Sequence, residues 1–516
     1  MPESPEQLKN KIADLEKEIK RYKFENDLLQ AEILQLKRHR FGSKSERCTE
    51  NGFTQLSLFD DLDAEPVEAP NDDDDNESNV VDIAAHKRKV TKKKKFSDSL
   101  PRREVIIPVP ESERVCGCGC QKVTIRYEET ERLNVIPATY EVVVEKREVV
   151  GCKNRCKGSM LTAPKEPTIL PKMRVKESVL ADIIVSKLVD RQPCYHLEKK
   201  YETRCGFNLS RQSMADYMIK SSAPLQPLVN LIKDQVIDYD IGALDATTFQ
   251  VLNEPGRKAT TKSYIYCFRG GPPDKQSVLF EYNPILHKKF THDWFAGFQG
   301  KLHCDADPWF EELFEVEGIA ASNCLAHGRR KFEPIAKATE GDGLAKQAMQ
   351  FFKAVYRVEK MAKKEDMTPD KRFLLRLEQT QPILDKFKAW LDQNYPTVLP
   401  KSKLGIAMGY MIKHWKGLCT FMSDGRLEVD NNLTEQEMKA FAVIRKNILF
   451  SQSVDGVKAL CIHFTLLRTA IHHNLNPFEY YHHVLKMIPK CKCIEDFEAL
   501  LPWNFAAVDQ RISAAA

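Results

Sequence analysis

Between residues 241 and 327 the chain falls into short β-rich runs, and two of them set an aspartate among apolar neighbours. Asp245 stands in GALDATT and Asp305 in KLHCDAD. A carboxylate is costly to bury in an apolar strand unless it is paired or metal-bound. That restricts the fold to one whose sheet holds acids for use. The runs cover 241–252, 263–271, 276–282, 300–307 and 319–327. The first three follow closely, as in an antiparallel meander. A helix-sized spacer precedes each of the last two, which suggests parallel crossovers.

Three strands followed by alternating helix and strand is an RNase H-like order. In such a sheet Asp245 and Asp305 fall on neighbouring strands and can face each other. Residues 328–424 read as a long helical insertion, and the stretch GRLEVDNNLTEQEMKAFAVIRKN (425–447) follows it. It reads as a helix opening on Asn431 and Asn432, with Glu435 and Glu437 in its first turn. The two amides are expected to cap the helix and fix its approach to the sheet. Glu437 lies about 200° round from Glu435 and is expected in solvent. Asp245 and Asp305 with a glutamate from a helix lying against the sheet carry enough hard oxygen ligands for two Mg2+ ions, which can activate water and stabilise a leaving oxygen at phosphorus. Asp307 rivals Asp305, since strand alternation puts both on one face. Arg329, Arg330, Lys331, Arg445 and Lys446 can neutralise DNA phosphates or form solvated helix faces. His327 orders the active site or caps a strand.

The N-terminal segment has a different grammar. Leu8, Leu15, Tyr22, Leu29 and Leu36 recur every seven residues, with Ile12, Ile19, Asn26 and Ile33 interleaved. That seam favours a parallel two-stranded coiled coil, its register fixed by the buried amide, and hence self-association. An acidic run (60–78) and the basic block HKRKVTKKKK (86–95) then read as a disordered linker ending in a polycation. Cys116, Cys118, Cys120, Cys152 and Cys156 flank the alternating segment YEVVVEKREVV, which reads as a strand. Four of those five thiolates, brought together by a hairpin, suit one structural zinc. Between 170 and 236 the pattern turns helical. Gly206 makes a turn, and Ser210 caps a helix presenting Arg211, which is helix-turn-helix grammar.

A chain of 516 residues is long enough for three or four units, and its net charge of +5 says little about partners. No run approaches the ~20 apolar residues of a membrane span, and no signal-peptide character is present at the start. A cytosolic protein is expected, with its cysteines as thiols or metal ligands.

With the blocks RFGSKSER, CLAHGRRKF (324–332), GRLEVDNNLTEQ, KNILF and LLPW (500–503) in view, the chain resembles the insertion sequence 66 family of transposases, of the DDE (Asp-Asp-Glu) class. The resemblance covers nearly the full length. It implies Mg2+-dependent cutting and joining of DNA at terminal inverted repeats and target, with Asp245, Asp305 and Glu435 as the triad. It also implies small accessory proteins of the same element as partners. The chain departs from the family pattern at Ala246, at Ala306–Asp307 and at Gln436. The alternatives are a catalytically impaired DNA-binding homologue and a cellular RNase H-like nuclease. The expected fold is multidomain α+β. Its parts are a zipper and basic segment (1–47), linker (48–100), zinc ribbon (101–165), helical DNA-binding region (166–236) and RNase H-like core strands (237–335). A helical insertion (336–424), the glutamate helix with the helical remainder of the core (425–485) and a tail (486–516) complete it.

Overall fold

The computed structural model describes residues 80–83, 86–89, 139–150, 161–171, 173–286, 288–306, 310, 312–339 and 341–505. The zipper (1–47), the cysteines Cys116, Cys118, Cys120, Cys152 and Cys156, and Asp307 lie outside the described residues. The chain divides into two compact units, Arg47–Val144 and the remainder.

In the first unit, Val80–Ile83 pairs antiparallel with His86–Lys89. The expected linker is therefore not structureless throughout, since the β-branched run VVDI favours a strand. The strand expected across YEVVVEKREVV is largely absent. Within it Val149–Val150, which belongs to the second unit, forms one antiparallel to Leu161–Thr162, while Val142 and Val144 of the first unit are exposed.

The second unit is built on a mixed sheet. Strands β1 (Ile241–Asn253), β2 (Lys262–Gly270) and β3 (Ser277–Asn283) form the antiparallel meander. Strands β4 (Gly300–Cys304) and β5 (Ile319–Asn323) join in parallel on the other side of β1, giving the order β3-β2-β1-β4-β5. The β4 ladder holds only residues 241–243 of β1, and the short β6 (Ser451–Ser453) pairs in parallel with Val251 and Asn253. No strand ladder is formed between those contacts on that side of β1, among the described residues.

Helices α1 (Glu177–Leu188), α2 (Cys194–Cys205), α3 (Arg211–Ser222) and α4 (Gln226–Ile237) precede the sheet. The α2–α3 turn follows the expected signals. Gly206 takes a left-handed φ of 66°, where a Cβ would be strained, and the Ser210 hydroxyl accepts from the Ser213 amide at 3.2 Å. The expected separate helical domain (166–236) does not stand apart. Helix α3 packs on α12 (Val454–His472), and α1 packs on α13 (Pro477–Met487). Helix α12 also covers the free edge of β3. The Thr465 hydroxyl accepts from the Phe280 amide at 2.9 Å, and Thr469 accepts from the Val278 amide at 3.3 Å and donates to its carbonyl at 3.0 Å. Edge groups that would otherwise invite another strand are thereby satisfied.

Helix α5 (Lys288–Trp294) leads into β4, and α6 (Leu325–Ala338) follows β5 directly. The sequence placed residues 324–327 in the fifth strand, but that strand ends at Asn323. The insertion comprises α7 (Leu344–Lys364), α8 (Pro369–Leu375), a π-helical turn (Arg376–Thr380), α9 (Gln381–Asn394) and α10 (Lys403–Leu418). Phe332 of α6 joins Phe352, Phe387, Met408 and Met411 of the insertion in one buried apolar cluster. Helix α11 (Asn432–Ile448) then lies along β1. It is 17 residues long and opens at the asparagine pair, as the sequence suggested.

Candidate active site

Strand register brings the two aspartates together. Ala243 pairs with His303 in parallel, so two residues further along each strand are Asp245 and Asp305. The third carboxylate arrives from α11, whose seating depends on the side of β1 that no ladder covers. Asn431 Nδ2 donates to the Leu244 carbonyl at 3.3 Å, and Arg445 Nη1 donates to the Thr248 carbonyl at 2.6 Å. The helix is thus fastened near both ends to strand carbonyls on either side of Asp245.

This corrects the reading of the two asparagines. Asn431 occupies the N-cap position but its side chain makes no capping bond. Its amide nitrogen is already committed to β1, and its backbone N–H donates to Cys324 Sγ at 3.2 Å. The Asn432 side chain does not cap either; its N–H is met by Asp430 Oδ1 at 3.3 Å. Asn431 instead ties the start of the helix to β1 through its side-chain amide.

Four side chains converge at the start of α11. Asp305, Cys324, His327 and Glu435 each bring a ligand atom within 4.8 Å of the others. His327 Nδ1 lies 2.9 Å from Asp305 Oδ1, near enough for an ion pair but not aligned as a hydrogen bond, and 3.9 Å from Glu435 Oε1. Arg330 grips both Glu435 oxygens, at 3.0 and 2.8 Å, and its Nη1 lies 3.2 Å from His327 Nε2. Cys324 precedes α6, and His327 and Arg330 follow at three-residue steps on one face of that helix.

The electrostatics reflect crowded like charges. Burial, followed by the charges of Asp305 and Glu435, pushes the Asp245 carboxyl up to about 7, although the Ala246 N–H donates to it at 2.7 Å. Burial works against protonation of His327, but its contacts with Asp305 and Cys324 outweigh that and push it up to about 10. Three carboxylates therefore share the immediate company of one imidazolium and one guanidinium. Asp305 Oδ1 is buried and accepts no hydrogen bond. Hard oxygen donors with an unsatisfied lone pair and excess negative charge fit a divalent cation such as Mg2+. Cys324 and His327 add softer donors beside them.

Residues 172–459, more than half of the chain, match the Transposase IS66 family. The chain belongs to the IS66 family of transposases. Residues 465–503 match the IS66 C-terminal element, and residues 28–105 match Transposase C of IS166 homeodomain. The chain is also similar to two proteins of Sinorhizobium fredii (strain NBRC 101917 / NGR234). Uncharacterized protein y4jD is 28% identical over 524 residues, covering 98% of this chain and 97% of its own. Uncharacterized protein y4qI is 29% identical over 488 residues, covering 91% and 87%. The IS66 match spans all three carboxylates as well as Cys324, His327 and Arg330.

The basic residues proposed for DNA divide into two sets. Arg330 is held by Glu435 and Arg445 by β1, so neither is the free phosphate contact that the sequence suggested. Arg329 lies over the Tyr356 ring at 5.4 Å, partly buried. Lys331 (4.5 Å from the Tyr410 ring), Lys446 and Arg211 are exposed, and Arg211 also pairs with Glu198 at 3.3 Å. Glu437, expected in solvent, is 2% exposed. Arg468 and His472 of α12 hold it at 2.6 and 2.9 Å and keep its carboxyl at about 2 against the pull of burial. No helix among the described residues is long and apolar enough to cross a membrane.

Proposed function

We propose that this IS66-family chain cuts DNA at the inverted repeats of a mobile element and transfers the freed 3′-OH to target DNA, using Asp245, Asp305 and Glu435 on an RNase H-like scaffold. The observation that carries the reading is the meeting of Asp305, at the end of β4, with Glu435 of α11, beside Asp245 of β1, whose carboxyl their charges help to raise. The sheet order, three antiparallel strands continued by two parallel ones, supports the scaffold.

Two Mg2+ ions held by the triad would supply Lewis acidity at water and then at the 3′-OH, and would stabilise charge at phosphorus. The chain's own residues do the rest. Asp245 pairs with Cys267 of β2 on one side, and on the other α11 bonds the carbonyls of Leu244 and Thr248, which holds the strand around it. Arg330 orients the Glu435 carboxylate through a two-pronged grip. His327 sets its positive charge against Asp305. Exposed Lys331, Lys446 and Arg211 can hold phosphates. Cutting and joining by this route need no covalent protein–DNA intermediate. Four of Cys116, Cys118, Cys120, Cys152 and Cys156 would bind one structural zinc, the heptad would pair two copies, and accessory proteins of the element would complete the assembly in the bacterial cytoplasm.

The test is nicking of a supercoiled plasmid carrying the element's two ends, beside one without them. Mg2+-dependent cuts confined to the ends are expected. Cuts placed without regard to the ends, or made equally well in chelator, would contradict the reading.

A further inference from the structure

A buried charge cluster in the helical insertion lies outside the carboxylate site, and the proposed reaction does not use it. Arg376, in the π-helical turn of the insertion, is fully buried. Its five N–H donors meet five acceptors. Nε and Nη2 bind Glu359 of α7 at 2.7 and 3.0 Å, Nη1 binds the carbonyls of Phe421 and Asp424 at 2.6 and 2.8 Å, and Nη2 also binds that of Leu427 at 2.8 Å. Arg372 of α8 spans Glu359 (2.6 Å) and Glu428 (3.1 Å) and reaches the Gly425 carbonyl at 3.4 Å. Lys363 closes on Glu428 at 2.7 Å. At Gly425 the loop runs so close to α8 that a Cβ would lie 1.8 Å from the Pro369 carbonyl oxygen.

Every one of those carbonyls belongs to residues 421–427, the loop that leads into α11. The connection continues without a gap. The Leu325 N–H donates to the Val429 carbonyl at 3.1 Å, Asn431 bonds Cys324 and Leu244, and the Glu435 N–H donates to the Asn431 carbonyl at 2.9 Å. A π-turn in mid-helix is costly and recurs at functional positions; here it supplies the guanidinium that grips the loop.

We propose that the helical insertion is the positioning device of the third carboxylate: Arg376 and Arg372 lock the 421–428 loop, and the locked loop sets where α11 begins and so where Glu435 stands relative to Asp245 and Asp305. The two arginines are positioning residues and touch neither the triad nor DNA. The inference rests on the triad reading for its functional consequence, but its structural content can be measured separately. Lysine cannot replace Arg376, because an ammonium has three donors and no planar fork.

The test uses the full-length chain with Arg376→Lys and, at the half-open rim of the clamp, Glu428→Gln. Amide hydrogen exchange across 429–435, DNA affinity, thermal midpoint and the Mg2+ concentration for half-maximal end cleavage are read together. Faster exchange at 429–435, unchanged DNA affinity and a Mg2+ requirement raised at least ~10-fold are expected from either variant that folds. A lower thermal midpoint with exchange at 429–435 and Mg2+ requirement both unchanged would mean that the clamp is only structural and would overturn the proposal. If the wild-type chain makes no metal-dependent cuts, the triad reading fails by itself. The clamp is then judged by exchange alone: faster at 429–435 supports it, unchanged overturns it.

Discussion

Two of the buried charge clusters among the described residues, one around Arg376 and one around Asp245, are balanced in opposite ways. Around Arg376, two carboxylates meet two guanidinium groups and an ammonium, and every Arg376 donor is used. Around Asp245, three carboxylates share one imidazolium and one guanidinium, and Asp305 Oδ1 accepts no hydrogen bond. The contrast appears in the acids themselves. Arg372 and Lys363 hold the Glu428 carboxyl at about 2 against burial, whereas burial and like charge push Asp245 up to about 7. The first cluster meets each of its acids with at least one cation; the second leaves acids in excess, the arrangement expected where a cation binds.

The contrast breaks most visibly on removing a partner. Glu359→Ala strands two buried guanidinium groups and is expected to cost roughly 3–5 kcal/mol, read from the urea midpoint. Asp245→Asn relieves repulsion and is expected to leave stability unchanged or to raise it. Equal losses would erase the distinction.

Acid titration sharpens it next. Glu428 has a folded-state value below its ordinary 4.5, so its stabilisation is complete above about 4.5 and is lost as pH falls towards 2. The contribution is roughly 3 kcal/mol, and Glu428→Gln should flatten that acid limb. Asp245 has the opposite sign. Its folded-state value lies above the ordinary 3.8, so the native state binds the proton more tightly and stability declines as pH rises from about 4 to 7. Asp245→Asn should remove that decline in metal-free buffer. A smaller effect belongs to the sheet edge, where Thr465→Val deprives the Phe280 N–H of its acceptor and should cost about 1–2 kcal/mol by the same urea midpoint.

The sequence made the strands and the acids legible because both rest on local signals. Period-2 runs located β1 to β5 to within a few residues, and carboxylates in apolar runs are conspicuous. Partners contributed by distant segments were not legible. Glu437 was expected in solvent because helical phase turns it away from Glu435, and it does turn away. What it meets, Arg468 and His472, lies some thirty residues on in α12. Asn431 stands where a cap should, but a strand carbonyl 187 residues away takes its amide. Arg372 and Arg376 lie in a stretch legible only as helical, since nothing local announces that a loop will fold onto them. The i, i+3 spacing of Cys324, His327 and Arg330 was available, and would have placed the imidazole and guanidinium on one face towards Glu435.

Helix α11 carries one member of each class of carboxylate, two residues apart, and this gives the most direct test. Glu435→Gln and Glu437→Gln are compared for Mg2+-dependent cleavage at element ends and for thermal midpoint. The account predicts that Glu435→Gln loses cleavage at least ~10³-fold with little change in midpoint, while Glu437→Gln keeps cleavage and melts earlier. Undiminished cleavage by Glu435→Gln would contradict it.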